Sequence, residues 1–156
     1  MNGKNGMTET SYMKPLPEPS PDTAPFWKFL QEGKLKLQAC AACGKLRHYP
    51  RPVCPDCYSM DATWVESKGR GTIHTWTIAH HPFHPGFKSE LPYVLVTVDL
   101  EDGVRMQAQL RGCDVVEGGT VRMRGLGAEQ IKIGMQVKVA FEIATKDLTL
   151  PVFVTA

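Results

Sequence analysis

The sequence predicts a mainly β chain: an N-terminal helix, then a four-cysteine ribbon, then a small closed barrel. Three observations carry that reading. Four of the five cysteines fall in LQACAACGKLRHYPRPVCPDCYS (residues 37–59), as two C-x-x-C pairs separated by ten residues. Just before this stretch runs a short apolar stripe with helical spacing. After it come five or six short segments that alternate apolar and polar residues between turn signals.

Taken in order, residues 1–20 are expected to be disordered. Prolines at 15, 17 and 19, with Pro21 just beyond, favour extended, unpaired chain, and early hydrophobic residues are few. PDTAPFWKFLQEGK follows, with Asp22 or Thr23 as the helix cap, Pro25 in the first turn and Gly33 as the stop. Phe26, Phe29 and Leu30 form its apolar stripe. A helix this short must pack on something, either its own domain or a partner, and Trp27 off the stripe keeps the partner in view.

From Gly69 the texture is strand. In GRGTIHTWTIAHH strict alternation puts Ile73, Thr75, Thr77 and Ala79 on one face and His74, Trp76, Ile78 and His80 on the other. PYVLVTVDL, VRMQAQLRG, TVRMRG, MQVKVAFEI and PVFVTA continue the pattern, and LEDGV marks a tight hairpin through its Asp-Gly. GLGAEQIKIGMQV is expected to hold a short helical turn. So many short strands in so little chain imply a closed barrel rather than an open sheet. The expected organisation is a disordered segment over 1–20, a helix over 21–34, the ribbon over 35–64 and the barrel over 65–156.

The chain has 156 residues, 42% hydrophobic and 22% charged, which is ordinary globular composition. No apolar run approaches the roughly 20 residues of a membrane helix, and the polar start lacks the apolar core of a secretory signal. A cytoplasmic protein without membrane contact is expected, and in a reducing compartment paired cysteines argue for metal before disulfide. Residues 34–60 carry Lys34, Lys36, Lys45, Arg47 and Arg51 against Asp56, while residues 66–156 balance ten bases against ten acids. That is not the basic field of a non-specific nucleic-acid binder, so nucleic acid is an unfavoured alternative partner.

A C-x-x-C turn points two thiolates the same way, and two such turns complete a tetrahedral zinc shell. Cys40, Cys43, Cys54 and Cys57 are therefore the expected ligands of a structural Zn²⁺. Four thiolates leave no open coordination position, so the metal is a staple and not a Lewis acid. Gly44 suits the left-handed turn after the first knuckle. Tyr58, at the matching position of the second, must turn less comfortably.

Other candidates are weaker. His80, His81 and His84 in HHPFHPG are separated by prolines that break any helix able to align them, and a binding loop is a better reading than a second metal. An independent enzyme would rest on those histidines alone. Cys113 has no His–acid context and reads as a bystander thiol. Arg105, Arg111, Arg122 and Arg124 lie on or beside strands as a potential basic face. No phosphate loop or nucleophile elbow is present, and no catalytic set is evident.

In its order of parts the chain resembles a family of zinc-ribbon/OB-fold proteins long known as a domain of unknown function. The resemblance runs through PDTAPFWKFLQEGKLKLQAC, CAACGKLRHYPRPVCPDC, GRGTIHTWT after Trp64, LPYVLVTVDLE and IKIGMQVKVAFE, over about residues 14–155. Tyr58 in place of a small residue and the longer VVEGGTVRMRG depart from the pattern. The resemblance implies a rubredoxin-like four-Cys zinc ribbon followed by an OB-fold barrel. It also implies an accessory, non-catalytic subunit, hetero-oligomeric with a thiolase-fold or lipid-transfer-type aldolase protein that acts on acyl-CoA thioesters. Some members accompany hydratases in steroid side-chain degradation.

Overall fold

The computed structural model describes residues 12–124 and 129–156. Its first regular element is a helix, α1, Ala24–Gln31. Thr23 precedes it, its hydroxyl accepting from Ser20 N at 2.8 Å, and Pro25 sits in the first turn. At the other end Gly33 N donates to Leu30 O and Lys34 N to Phe29 O, which closes the helix where the glycine predicted it.

The helix packs on its own chain. Phe26, Trp27 and Leu30 are buried, so Trp27 is not left over for a partner. Phe26 meets the rings of His48 and Tyr49, and Phe29 meets Trp64 at 5.6 Å between centroids. α1 thereby wedges against the ribbon, whose strands are β1 Lys36–Cys40, β2 Leu46–Arg47 and β3 Ala62–Glu66, in the order β2-β1-β3.

The remaining strands are β4 Arg70–Ala79, β5 Tyr93–Leu100, β6 Arg105–Leu110, the hairpin β7 Cys113–Val116 with β8 Thr120–Met123, then β9 Gln136–Thr145 and β10 Leu148–Thr155. Five of them close a barrel in the order β10-β6-β5-β4-β9, antiparallel throughout except for β6 beside β10. The expected hairpin turn is there, with Leu100 N donating to Val104 O at 2.9 Å. Val94, Val96, Val98, Met106, Val137 and Phe153 fill the barrel, and Phe26, Leu30, Leu35 and Leu37 join the same core. Ribbon, helix and barrel share one apolar cluster.

Two sequence expectations are corrected. Alternation along β4 breaks at His74: Ile73 pairs with Val98 but Thr75 pairs with Thr97, so His74 is the extra residue of a β-bulge. Beyond it the faces exchange, as one inserted residue must make them do. Trp76 and Ile78 pack on the core with Ile73, while Thr75 and Thr77 are exposed. In GLGAEQIKIGMQV, residues 125–128 lie outside the described residues, and residues 129–135 form a bridge from Gln130 to Arg122 and a turn rather than a helix.

Residues 12–20 form no helix or strand, as their prolines suggest, but they are seated on the barrel. Lys14 pairs with Glu90 and lies 5.5 Å from the Phe87 ring centroid. The seat needs a glycine: a Cβ on Gly86 would run into the Met13 carbonyl.

Candidate metal centre

The two knuckles are one structure made twice. In the first, Cys40 N donates to Lys45 O at 2.9 Å and Gly44 N to Cys40 O at 2.9 Å; in the second, Cys54 N donates to Ser59 O at 2.9 Å and Tyr58 N to Cys54 O at 3.0 Å. Gly44 has φ 74° and Tyr58 φ 60°. The second knuckle thus puts a tyrosine through the left-handed turn that glycine makes without a steric cost.

These turns bring four sulfurs together. Cys40 and Cys57 lie 3.5 Å apart, Cys43 and Cys54 3.7 Å, and all four Sγ atoms lie within 4.8 Å of one another. A disulfide needs about 2.05 Å, and none of these cysteines is so bonded. A tetrahedral ion with Zn–S bonds of about 2.3 Å sets its sulfurs roughly 3.8 Å apart. The spacing and the all-thiol donor set fit such an ion. Cys40 and Cys54 are buried, and Cys43 and Cys57 face solvent.

Protonation follows the same two-fold logic. The Cys43 amide, against burial and helped by that of Ala42, brings the Cys40 thiol down to about 6. The amides of Cys57 and Asp56 lower Cys54 likewise. Cys57 goes the other way: the Ser59 amide favours its thiolate, but the thiols of Cys40 and Cys43 push it up to about 12. Cys43 is also raised: the Lys45 amide and the Cys57 thiol favour its thiolate, but burial and the thiols of Cys40 and Cys54 together outweigh them. Four sulfurs this close do not all ionise alone, and a divalent cation removes that conflict.

The remaining histidines, the fifth cysteine and the arginines stay apart. His48 packs on Phe26, and its burial draws the imidazole down to about 4. His84 Nδ1 accepts from Gly86 N at 3.1 Å and His81 meets the Phe83 ring edge-on, so the histidine loop gathers no ligand set among the described residues. Among the described residues the four cysteines are the one cluster with metal-ligand spacing. The Cys113 thiol is raised, first by burial and then by Asp114. Three of the four arginines of the expected basic face are neutralised: Arg105 pairs with Asp99, Arg111 with Glu142 and Glu90, and Arg124 with Asp114, while Arg122 stands exposed without a carboxylate among the described residues. Trp76 and Phe141, the aromatic side chains a nucleic-acid barrel would present, pack on the core.

Sequence reasoning missed a polar bracket. Gln38 Oε1 accepts from Arg47 Nε at 2.5 Å and from Arg51 N at 2.9 Å, joining the approach to the first knuckle to the approach to the second. The only trace of it in the sequence is an arginine on the inward side of a short strand.

A four-thiol ribbon fused through a shared core to a five-stranded closed barrel defines a zinc ribbon on an OB fold. The chain belongs to the ChsH2 (DUF35) family. Residues 27–61 match the family model "ChsH2, rubredoxin-like zinc ribbon domain", and residues 64–142 match "ChsH2, C-terminal OB-fold domain". It is 38% identical over 141 residues to a probable enoyl-CoA hydratase alpha subunit of Thermomonospora curvata, covering 90% of this chain and 40% of that one. It is 41% identical over 98 residues to the 3-oxo-4,17-pregnadiene-20-carboxyl-CoA hydratase alpha subunit of Mycobacterium tuberculosis, covering 63% of this chain and 30% of that one. The chain therefore spans well under half the length of those two relatives. Against a DUF35 domain-containing scaffold protein of Pyrococcus furiosus it is 31% identical, over 72% of this chain and 73% of that one. A solved structure, the Ltp2-ChsH2(DUF35) aldolase, contains a chain that superposes with TM-score 0.72 at 36% identity, over 90% of this chain and 98% of that one. Among the described residues no helix is long and apolar enough to cross a membrane.

Proposed function

We propose that this chain is a non-catalytic accessory subunit of a cytoplasmic complex that processes acyl-CoA thioesters. Its partner is a thiolase-fold protein of the lipid-transfer-type aldolase kind, which holds the catalytic residues. The observation that carries the reading is the likeness to the chain in the Ltp2-ChsH2 aldolase, which extends over nearly all of that chain. The hydratase alpha subunits among the relatives support CoA thioesters as the substrate class, and steroid side chains as one candidate within it. The paired arginines speak against nucleic acid.

In this reading Cys40, Cys43, Cys54 and Cys57 hold Zn²⁺, which cross-links the ribbon and supplies no chemistry to the reaction. The division into a leading segment over 1–20, a helix over 21–34, the ribbon over 35–64 and the barrel over 65–156 is a division of labour. The apolar face of α1 is used on the chain's own core. In this reading docking is assigned to the ribbon, where Tyr58 is 78% and Met60 72% exposed, with Phe83 and Ile143 of the barrel presenting similar apolar surface. Such aromatic and methionine side chains anchor interfaces well.

Tagging the chain in its native host and purifying it gently tests the proposal. A thiolase-fold protein recovered in near-equal amount is the expected result. A hydratase in its place would keep the accessory role and reassign the partner. The chain emerging alone, with zinc, would end the reading.

A further inference from the structure

Among the described residues Arg47 is the one buried charged side chain, 7% exposed. Its Nε donates to Gln38 Oε1 at 2.5 Å, its Nη2 donates to Arg51 O at 3.2 Å, and its Nη1 has no partner. Both acceptors are neutral. Arg105, Arg111 and Arg124, all more exposed, each hold a carboxylate, while among the described residues no carboxylate pairs with Arg47. A guanidinium keeps its proton at any ordinary pH, and removing it from water without counter-charge is strongly unfavourable. A negative charge nearby would offset that cost.

Its place in the ribbon narrows the choice. Arg47 stands opposite Gln38, two residues before Cys40 and on the same face of β1 as that cysteine. Its other acceptor, Arg51 O, lies three residues ahead of Cys54. The arginine is thus bolted between the two chain segments that lead into the knuckles. Four thiolates around one divalent cation keep a net charge of about −2, and on the side of the buried Cys40 and Cys54 water screens that charge less than on the solvent side. We infer that Arg47 is the buried counter-charge of the metal–thiolate centre, and that its charge sets the centre's metal affinity. The inference rests on the zinc reading of the four thiols.

The test uses the full chain with Arg47→Gln, Arg47→Met, Arg47→Lys and, as a surface control, Arg51→Gln. Zinc content is measured on each, zinc affinity by competition with a chromophoric chelator, and strand content by circular dichroism. Wild type binding one zinc sustains the zinc reading whatever the variants do; wild type binding none overturns both. Arg47→Gln and Arg47→Met are expected to bind zinc roughly 10–100-fold more weakly, the usual effect of losing an outer-sphere partner. Arg47→Lys keeps the charge and is expected to stay close to wild type, as is Arg51→Gln. Affinity unchanged in Arg47→Gln, or lost as much in Arg51→Gln, overturns the inference. If the uncharged variants do not fold, Arg47→Lys decides: near-native affinity supports the charge, and a loss of 10-fold or more overturns it in favour of the hydrogen-bond bracket alone.

Discussion

The ribbon and the barrel solve the problem of small size in opposite ways. The barrel has strands of up to ten residues, a closed ring of hydrogen bonds and an interior of valine, methionine and phenylalanine. Its stability is spread over many contacts. The ribbon has a strand of two residues and an outer strand, β3, that is mostly exposed, and it converges on four sulfur atoms. Its stability is concentrated at a point. What joins them is α1, whose buried face completes the barrel's core on one side and holds the ribbon's loop through Phe26 on the other. A distributed element yields gradually to damage, whereas a concentrated one fails at once.

The largest expected effect tests that contrast from both sides. Cys54→Ser removes one ligand, and structural zinc contributes about 10–16 kcal/mol in small metal-folded peptides. It should release the metal and unfold residues between the knuckles while leaving the barrel's strand signal in circular dichroism largely in place. Phe153→Ala, at the centre of the barrel, should instead lower the stability of the whole chain by about 3–5 kcal/mol with zinc still bound. If Cys54→Ser abolishes the barrel signal as well, the two regions are one cooperative unit.

A smaller effect concerns His48 at the seam. Its imidazole titrates at about 4 instead of 6.5 because it is buried. Between those values the unfolded chain takes up a proton that the folded chain does not. Stability is therefore full above pH 6.5 and falls as pH drops toward 4, by up to about 3 kcal/mol. Acid also competes for the thiolates, so the comparison needed is between wild type and His48→Phe, each followed by chemical denaturation. The variant should lose the His48 part of the slope, and two parallel curves would rule that contribution out.

The smallest effect concerns Tyr58, whose φ of 60° belongs to glycine. Tyr58→Gly should stabilise the ribbon by about 1 kcal/mol, seen as tighter zinc retention. On the proposed function it should also weaken binding to the partner protein, because an exposed aromatic anchor is lost. A variant that is no more stable would show that neighbouring contacts relieve the turn.

Much of this was legible in the sequence. C-x2-C-x10-C-x2-C identified all four sulfurs that come together, because a knuckle is a local turn and its ligands are set by spacing. The Asp-Gly hairpin and the strand segments were legible for the same reason. The arginines were not, since whether Arg105 or Arg111 forms a basic face depends on the acid across the strand, and Asp99 and Glu142 are there. Nor was the fate of Trp27, which lies off the helical stripe yet is enclosed because α1 sits in a corner between ribbon and barrel. Lys14 reads as part of an unpaired tail until Glu90, far along the chain, meets it.

By itself, then, the sequence determined what depends on near neighbours along the chain: the helix with its proline start and glycine stop, the two thiol knuckles, the period-two strands and the turns between them. The expected side-chain cap is not made, because the Thr23 hydroxyl turns back to Ser20. Tertiary structure alone decided the bulge at His74, the single core shared by helix, ribbon and barrel, and the burial of Arg47 without a carboxylate. Local geometry follows from backbone sterics and hydrogen bonds within a few residues. Register, burial and charge balance are set by partners on other strands, and only the closed barrel and the ribbon packed on it bring those partners into reach.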